Sequence, residues 1–502
     1  MWTDQDFMTT NPIGRPYPYN ITCAPVDYAE NDIPTTCTLG INPQYAVNAT
    51  NLDQINATML FAQENNIRLV VTNTGHDMLG RSDGFGGLEI WLRHFRNRLE
   101  FQEAYSPINS CQKSNWSGST IVIDGAYQWE NVYEYAKAKS VIVVGGGAIS
   151  PGAIGGWLSG GGHGPATRNY GMGADQILEA RVLLANGQVV TANHCEYTDL
   201  FTSIRGGGPG YGIVLGTTVK TYPDVDVVTT HHLYLSPVLN TPDNSNLLDA
   251  VTVLLQSFPD LSDAGFAGYG FWSRSYPGPF IGNATSGLRQ RPFGPVKARL
   301  QAFNDTLSIS DDFVSYNGYW SFYEAESGLY DAAGASSILT SRFINRGALT
   351  NITAVRNTVE VIAGNPEEYT VNVIDLVSGG QVFADASDET SGLHSAWRTS
   401  NYFVTIGRSV ALNASNSERY SVMDDMTYVK GAALKELAPD TGGYMNEGDR
   451  NDPEWKPTFY GDKYAKHLAT KKKYDPYNTF YCATCVGSEG FVERPDFPLC
   501  PA

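Results

Sequence analysis

Apolar side chains recur at Leu52, Ile55, Met59 and Leu60, the spacing of one helix face, between Thr50 or Asn51 as cap and Asn65-Asn66 as stop. An apolar strand over residues 67–71 follows and runs into a turn, Thr72-Asn73-Thr74-Gly75-His76-Asp77. The order then repeats. Residues 88–92 and 120–124 read as strands; Trp129, Val132, Tyr133, Tyr135 and Ala136 stripe a helix; residues 141–144 form a strand that Gly145, Gly146 and Gly147 end. Two more strands, 177–184 and 189–191, flank an Asn186-Gly187 turn. Such helix-to-strand units place their loops at the carboxyl ends of strands, where α/β folds hold ligands.

After Tyr222-Pro-Asp-Val the texture changes. Residues 227–235 and 266–273 read as strands, and Leu247, Leu248, Val251, Leu254 and Leu255 line one side of a helix over 247–258. Residues 296–303 look helical, and Ile352, Val355, Val359 and Ile362 stripe another helix. Strands with helices on one face predict an α+β substrate domain whose apolar stripes are core. The pattern divides the chain into an arm (1–40), a first domain (41–224), a substrate domain (225–440) and a closing segment (441–502) with a helix over 462–473.

At 502 residues the chain exceeds one ordinary core, which supports two domains. The net charge of -18 makes nucleic acid and anionic membranes poor partners. No apolar run approaches a membrane span. Eight sugar acceptors, at Asn20, Asn48, Asn56, Asn115, Asn283, Asn304, Asn351 and Asn413, argue for secretion to the extracellular space. The chain opens without a charged n-region and apolar h-region, so it reads as a mature form whose signal peptide has been removed. Seven cysteines fit an oxidising compartment with one thiol left over. Cys23 and Cys37 suit a staple in the arm. Cys482-Ala-Thr-Cys485 has neither a second CxxC nor a histidine pair, so with Cys500 nearby it reads as a disulfide in the tail rather than a zinc or redox pair.

The candidate chemistry lies in the glycines. Gly155-Gly-Trp-Leu-Ser-Gly160-Gly161-Gly162-His163-Gly, Tyr170-Gly171-Met-Gly-Ala-Asp175 and Arg205-Gly-Gly-Gly-Pro-Gly-Tyr-Gly212-Ile213-Val214 let the backbone come within hydrogen-bonding distance of a flat or phosphorylated ligand. With the His76 turn they imply one large ligand threaded between loops, and the turn adds backbone N–H groups and one nucleophilic imidazole. No P-loop is present, which argues against nucleoside triphosphate chemistry.

Together these stretches resemble the FAD-binding (PCMH-type) domain of vanillyl-alcohol-oxidase-type flavoproteins, in the berberine-bridge-enzyme-like branch, near secreted fungal oxidases of the isoamyl-alcohol-oxidase kind. The likeness runs over 40–223 and resumes at 440, which implies that the closing segment returns to the first domain. It implies a covalent bond from His76 to the 8α-methyl of FAD, which prevents loss of the flavin and raises its potential. Thr72, Asn73, Thr74, Gly75, Asp77, Leu79, Gly80 and Ser82 would hold the pyrophosphate. The remaining cofactor contacts on this likeness are Gly147, Gly155, Gly160, Gly161, Gly162, His163, Gly171, Asp175, Gly212, Ile213, Val214 and Asn446. Many relatives tether the flavin a second time through cysteine. Here that region reads Gly147-Ala-Ile-Ser-Pro-Gly, which implies a single histidyl link.

The closing segment Gly443-Tyr444-Met-Asn446-Glu-Gly-Asp449 resembles the family's Tyr-x-Asn-x-x-Asp stretch, which would set Asn446 against the flavin ring and Tyr444 toward substrate. Asp375 lies near the end of an apolar strand before Gly379-Gly380. It either caps the following turn or, buried with a raised pKa, accepts a proton. The expectation is an oxidase of an alcohol, sugar or phenol, with Tyr444 or Asp375 as base, hydride passing to the flavin and O2 returning it with release of hydrogen peroxide. A dehydrogenase or oxidative-cyclisation enzyme with poor oxygen reactivity, and a flavin-free sugar-binding or structural protein, are the other readings. No metal is expected.

Overall fold

The computed structural model describes residues 9–12 and 39–502, apart from 108–110, 112, 239–243, 275–276, 285–290, 327–332, 335–336, 369, 412–413 and 495–496. The expectations for Cys23, Cys37, Asn20 and Asn413 therefore fall outside the described residues.

The first helix, Leu52–Glu64, starts at Asn51, whose side chain accepts the Gln54 N–H at 3.0 Å. It buries Ile55, Met59 and Ala62 against a small parallel sheet of β1 (Tyr45–Asn48), β2 (Leu69–Thr72) and β3 (Leu88–Trp91) in the order β1-β3-β2. Because β2 and β3 run parallel, the loop between them, which holds His76, leaves from the carboxyl end of β2.

A second sheet holds β4 (Arg96–Gln102), β5 (Thr120–Gly125), β6 (Val141–Val143), β7 (Ile177–Leu183), β8 (Val189–Asn193) and β9 (Ile213–Pro223). Its order is β4-β5-β9-β7-β8, with β6 on β9. The helix Trp129–Ala138 buries Trp129, Val132, Tyr133 and Ala136 in its core. β4 is not legible in the sequence because it pairs on one side only and carries Arg96, Asn97, Arg98 and Glu100.

The remaining strands, β10 (Val228–Pro237), β11 (Ala267–Trp272), β12 (Pro277–Ala284), β13 (Leu307–Tyr316), β14 (Ser337–Asn345), β15 (Thr370–Leu376) and β16 (Ser400–Ser409), make one antiparallel sheet in the order β13-β10-β12-β11-β15-β16-β14. Helices Ser245–Asp263 and Ile352–Ala363 pack on one face through Leu247, Val251, Leu255, Val355 and Val359, as their stripes predict, except that Ile352, at the first position of its helix, is exposed. The pleat turns Tyr269, Asp375 and Phe403, cross-strand neighbours on β11, β15 and β16, to the other face. There Tyr269 and Phe403 meet Met172, Ala174 and Tyr444. Ion pairs seal the joint: the buried Asp175 with Arg398 at 2.7 Å, and the buried Arg205 with the half-buried Asp388 at 2.8 Å.

The helix Tyr464–Tyr474 and a final pair, β17 (Phe491–Glu493) and β18 (Leu499–Pro501), close the chain. Cys482 and Cys485 form the expected tail disulfide, Cys111 pairs with Cys195, and among the described residues Cys500 is the free thiol. No helix among the described residues is long and apolar enough to cross a membrane.

His467, wholly buried, contacts Ser203 Oγ and the Gly392 carbonyl at 3.0 Å each through its two ring nitrogens. Burial pushes its pKa down from 6.5 to about 4. Between those values the unfolded chain takes up a proton that the folded chain refuses, so stability falls as pH drops through that window. The shift is worth about 3 kcal/mol. Urea unfolding at pH 7 and at pH 4 should show this loss, and His467→Gln should reduce it by about that amount. An unchanged pH dependence in the variant would contradict the assignment.

Candidate functional site

The loop after β2 is folded by its own aspartate. Asp77 Oδ2 accepts the backbone N–H of Leu79 at 2.9 Å and of Arg81 at 2.6 Å, while Gly75 and Gly80 take positive φ at the two bends. His76 thereby lines a cavity of about 320 Å³. A second wall is the glycine edge Gly146, Gly147, Gly155 and Gly156, held from behind by Tyr133 Oη on the Gly146 carbonyl at 2.6 Å and Tyr323 Oη on the Gly147 carbonyl at 3.0 Å. Residues 208–214 form a third wall, and Tyr444, Asn446, Glu447 and residues 480–482 a fourth.

Of the residues expected to bind the cofactor, Asn73, Thr74, Gly75, His76, Asp77, Ser82, Gly147, Gly155, His163, Gly212, Ile213, Val214 and Asn446 line this cavity, as does Tyr444. The others lie outside its wall. Thr72 donates to the Ser82 carbonyl at 3.2 Å, and the Leu79 carbonyl accepts from Arg450 at 2.6 Å. Gly80 lines a separate cleft. Gly160 makes room for Asn446, whose Nδ2 stands 2.5 Å from where a Cβ would sit, and Gly162 does the same for the Trp157 ring at 2.5 Å. Gly161 lies against Leu393 and Gly171 against Asp385. Asp175 is spent on Arg398, Arg205 and the Met172 N–H; burial would raise its pKa, but the two guanidiniums overrule burial and hold it low. Asp375 is buried in the sheet beside the cavity rather than on its wall.

The wall fits a flat cofactor. A Cβ on Gly147, Gly155 or Gly156 would meet nothing within 4 Å, so no protein neighbour excludes a side chain there, and only Gly155, at φ +80°, needs glycine for its backbone. Both polar atoms of the Asn73 amide are buried on the cavity wall with no hydrogen-bond partner among the described residues. An amide left this way costs free energy unless a ligand completes it.

At the other end of the cavity His163 links two groups. Its Nδ1 lies 3.1 Å from Tyr269 Oη and its Nε2 3.3 Å from Glu447 Oε1, and Glu447 Oε2 accepts from Thr405 at 3.0 Å. Tyr444 Oη accepts from Asn446 Nδ2 at 2.9 Å and from the Gly162 N–H. Burial first, and then the negative charge of Glu447, push Tyr444 above its ordinary value, and the same two causes raise Asp375 well above the carboxylate range. Sequence reasoning missed Glu447, Trp157 and residues 480–482 on this wall. Glu447 follows Asn446 directly, so the signal was a carboxylate inside the motif already singled out.

A glycine-edged, histidine-tipped cavity beneath a seven-stranded antiparallel sheet defines an FAD-linked oxidoreductase of the vanillyl-alcohol-oxidase type, in the branch with a berberine-bridge-like closing segment, and the chain belongs to that family. Residues 43–193 match the model of an FAD binding domain, and residues 443–487 match that of berberine and berberine-like proteins. The chain is 56% identical to the FAD-linked oxidoreductase hmp9 of Hypomyces subiculosus, over 99% of this chain and 82% of that one. The crystal structure of the VAO-type flavoprotein MtVAO713 from Myceliophthora thermophila C1 superposes with a TM-score of 0.97 at 57% identity, covering 100% of this chain and 90% of that chain. Glucooligosaccharide oxidase from Acremonium strictum, described with a 6-S-cysteinyl, 8α-N1-histidyl FAD, shares the fold at a TM-score of 0.70 and 19% identity, over 89% and 92% of the two chains.

Gly156 tests the fit directly. A Cβ at Gly156 meets no protein atom within 4 Å, and Gly156→Leu, reaching into the cavity, should change folding stability by no more than about 0.5 kcal/mol. FAD bound per chain, read from visible absorbance, should fall at least about tenfold, the worth of about 1.4 kcal/mol. A variant with full flavin occupancy would show that the glycine edge does not face the cofactor.

Proposed function

We propose that this chain is a secreted, glycosylated oxidase that carries FAD on a single histidyl link at His76 and oxidises a C–OH group of an alcohol, sugar or phenolic substrate, with O2 as acceptor. The observation that carries the reading is Glu447, a carboxylate held by Thr405 and joined to His163 in the same cavity that His76 lines. Bound FAD supplies a two-electron acceptor for the substrate's hydride and, through O2, hydrogen peroxide as product.

The chain supplies position and proton traffic. Tyr444 and Asp375, the two bases expected from the sequence, are both pushed toward their protonated forms, burial first and Glu447 second. Tyr444 Oη also receives two N–H groups, which leaves its own proton free to donate to a substrate oxygen. Glu447, with His163 as relay toward Tyr269, is then the group that takes the hydroxyl proton. A single link at His76 is supported by the wall opposite it: residues 146–152 include no cysteine, and Cys482, which also lines the cavity, is joined to Cys485. Secretion is supported by the eight acceptor sequences, of which Asn48, Asn115, Asn304 and Asn351 are exposed and Asn56 half-buried, and by the two disulfides.

The test is turnover of the pure protein on primary alcohols, phenolic alcohols and reducing oligosaccharides with O2 uptake and peroxide followed together. One peroxide per product is expected; turnover with a quinone or dye alone would make the chain a dehydrogenase instead. Glu447→Gln should keep its flavin and lose about 10²–10⁴-fold in the rate of flavin reduction. A wild-type rate would remove Glu447 from the proton path.

A further inference from the structure

Arg81 follows the histidine loop and is buried. A guanidinium has five N–H donors, and here the acceptors match that number. Nε donates to the Ala483 carbonyl at 3.2 Å. Nη1 lies 3.4 Å from both Asp77 Oδ1 and Asn446 Oδ1. Nη2 donates to the Met445 carbonyl at 2.8 Å and to Thr484 Oγ1 at 3.1 Å. One side chain thus joins the loop that carries His76, the closing segment that carries Tyr444, and the tail.

The tail contacts come from a distinctive place. Ala483 and Thr484 are the two residues enclosed by the Cys482–Cys485 disulfide. Thr484 sits at φ +56°, a left-handed conformation that a β-branched residue rarely adopts and that costs about 1–3 kcal/mol. Its hydroxyl takes Arg81 and its carbonyl takes Tyr460 Oη at 2.9 Å. The small ring closed by the disulfide holds this backbone, and the backbone aims two oxygens at Arg81. Cys482 also lines the flavin cavity, so a dithiol can reach the pair from that side until the cofactor covers it.

We propose that the Cys482–Cys485 disulfide is a latch for the flavin loop: closed, it lets Arg81 hold Asp77, and hence His76, in the arrangement that attaches FAD; reduced, it lets that loop go. Opening takes two electrons from a dithiol, which becomes a disulfide as the Cys482–Cys485 bond breaks and each sulfur gains a proton. Arg81 is in this account a positioning residue. The proposal rests on the reading of His76 as the attachment point, and makes oxidation of the tail a precondition of cofactor attachment.

The test measures, in the full chain produced with FAD, the total flavin bound and the share that stays with the acid-precipitated protein. Cys482→Ala/Cys485→Ala and Arg81→Lys should each fold and bind flavin, yet lose the acid-stable share at least about tenfold. Cys111→Ala/Cys195→Ala, which removes the other disulfide, should keep it. An acid-stable share at the wild-type level in the Cys482/Cys485 variant overturns the latch. Should that variant fail to fold, Arg81→Lys reads the same contact with both cysteines intact, and a wild-type share there overturns it equally. Wild-type protein whose flavin all washes out overturns the His76 reading and the latch together, an outcome distinct from equal acid-stable shares in wild type and variant.

Discussion

A single buried guanidinium sets the geometry on which the flavin site depends. Arg81 draws hydrogen-bond acceptors from Asp77, four residues before it, and from residues 445–446 and 483–484, 364 to 403 positions after it. A buried charge with one carboxylate partner is costly unless every donor is met, and here every donor is met. That requirement makes the contact directional. If the closing segment or the tail moved, at least one N–H would be left unpaired in a dry interior, so the loop, the motif holding Tyr444 and Asn446, and the disulfide ring take up their positions together.

The front of the cavity follows a second electrostatic rule. Glu447 lies close enough to Tyr269, Asp375 and Tyr444 that its charge raises all three, adding to the burial that raises them first. The antiparallel sheet supplies that arrangement through register. Tyr269, Asp375 and Phe403 stand in one row, and Thr405, two residues on, braces Glu447.

Local patterns in the sequence were sufficient for the helix capped by Asn51, the strand before His76 and the two helices of the substrate domain, because each depends on spacing or on a residue's own cap. The glycines were legible only in part. Glycine announces a close approach but not what approaches: at Gly147 and Gly156 it is open cavity, while at Gly160 and Gly162 it is Asn446 and Trp157. Asp175 was read as a ligand contact for a related reason, since its true partner, Arg398, lies 223 residues away and no local signal points to it. Tyr444 is a candidate base through the likeness of the closing segment, and Asp375 through its place near the end of a strand. Which of several acidic groups keeps its proton depends on burial and on Glu447, and both are properties of the assembled sheet.

The central claim is that FAD is joined to the chain at His76 and nowhere else. Trypsin cuts after Arg68 and Arg81, so peptide 69–81 contains His76 as its one histidine. Mass spectrometry of a digest of the holoprotein is expected to find the FAD adduct on that peptide and on no cysteine-containing peptide. Flavin recovered free of any peptide, or an adduct on a second peptide, would contradict the account.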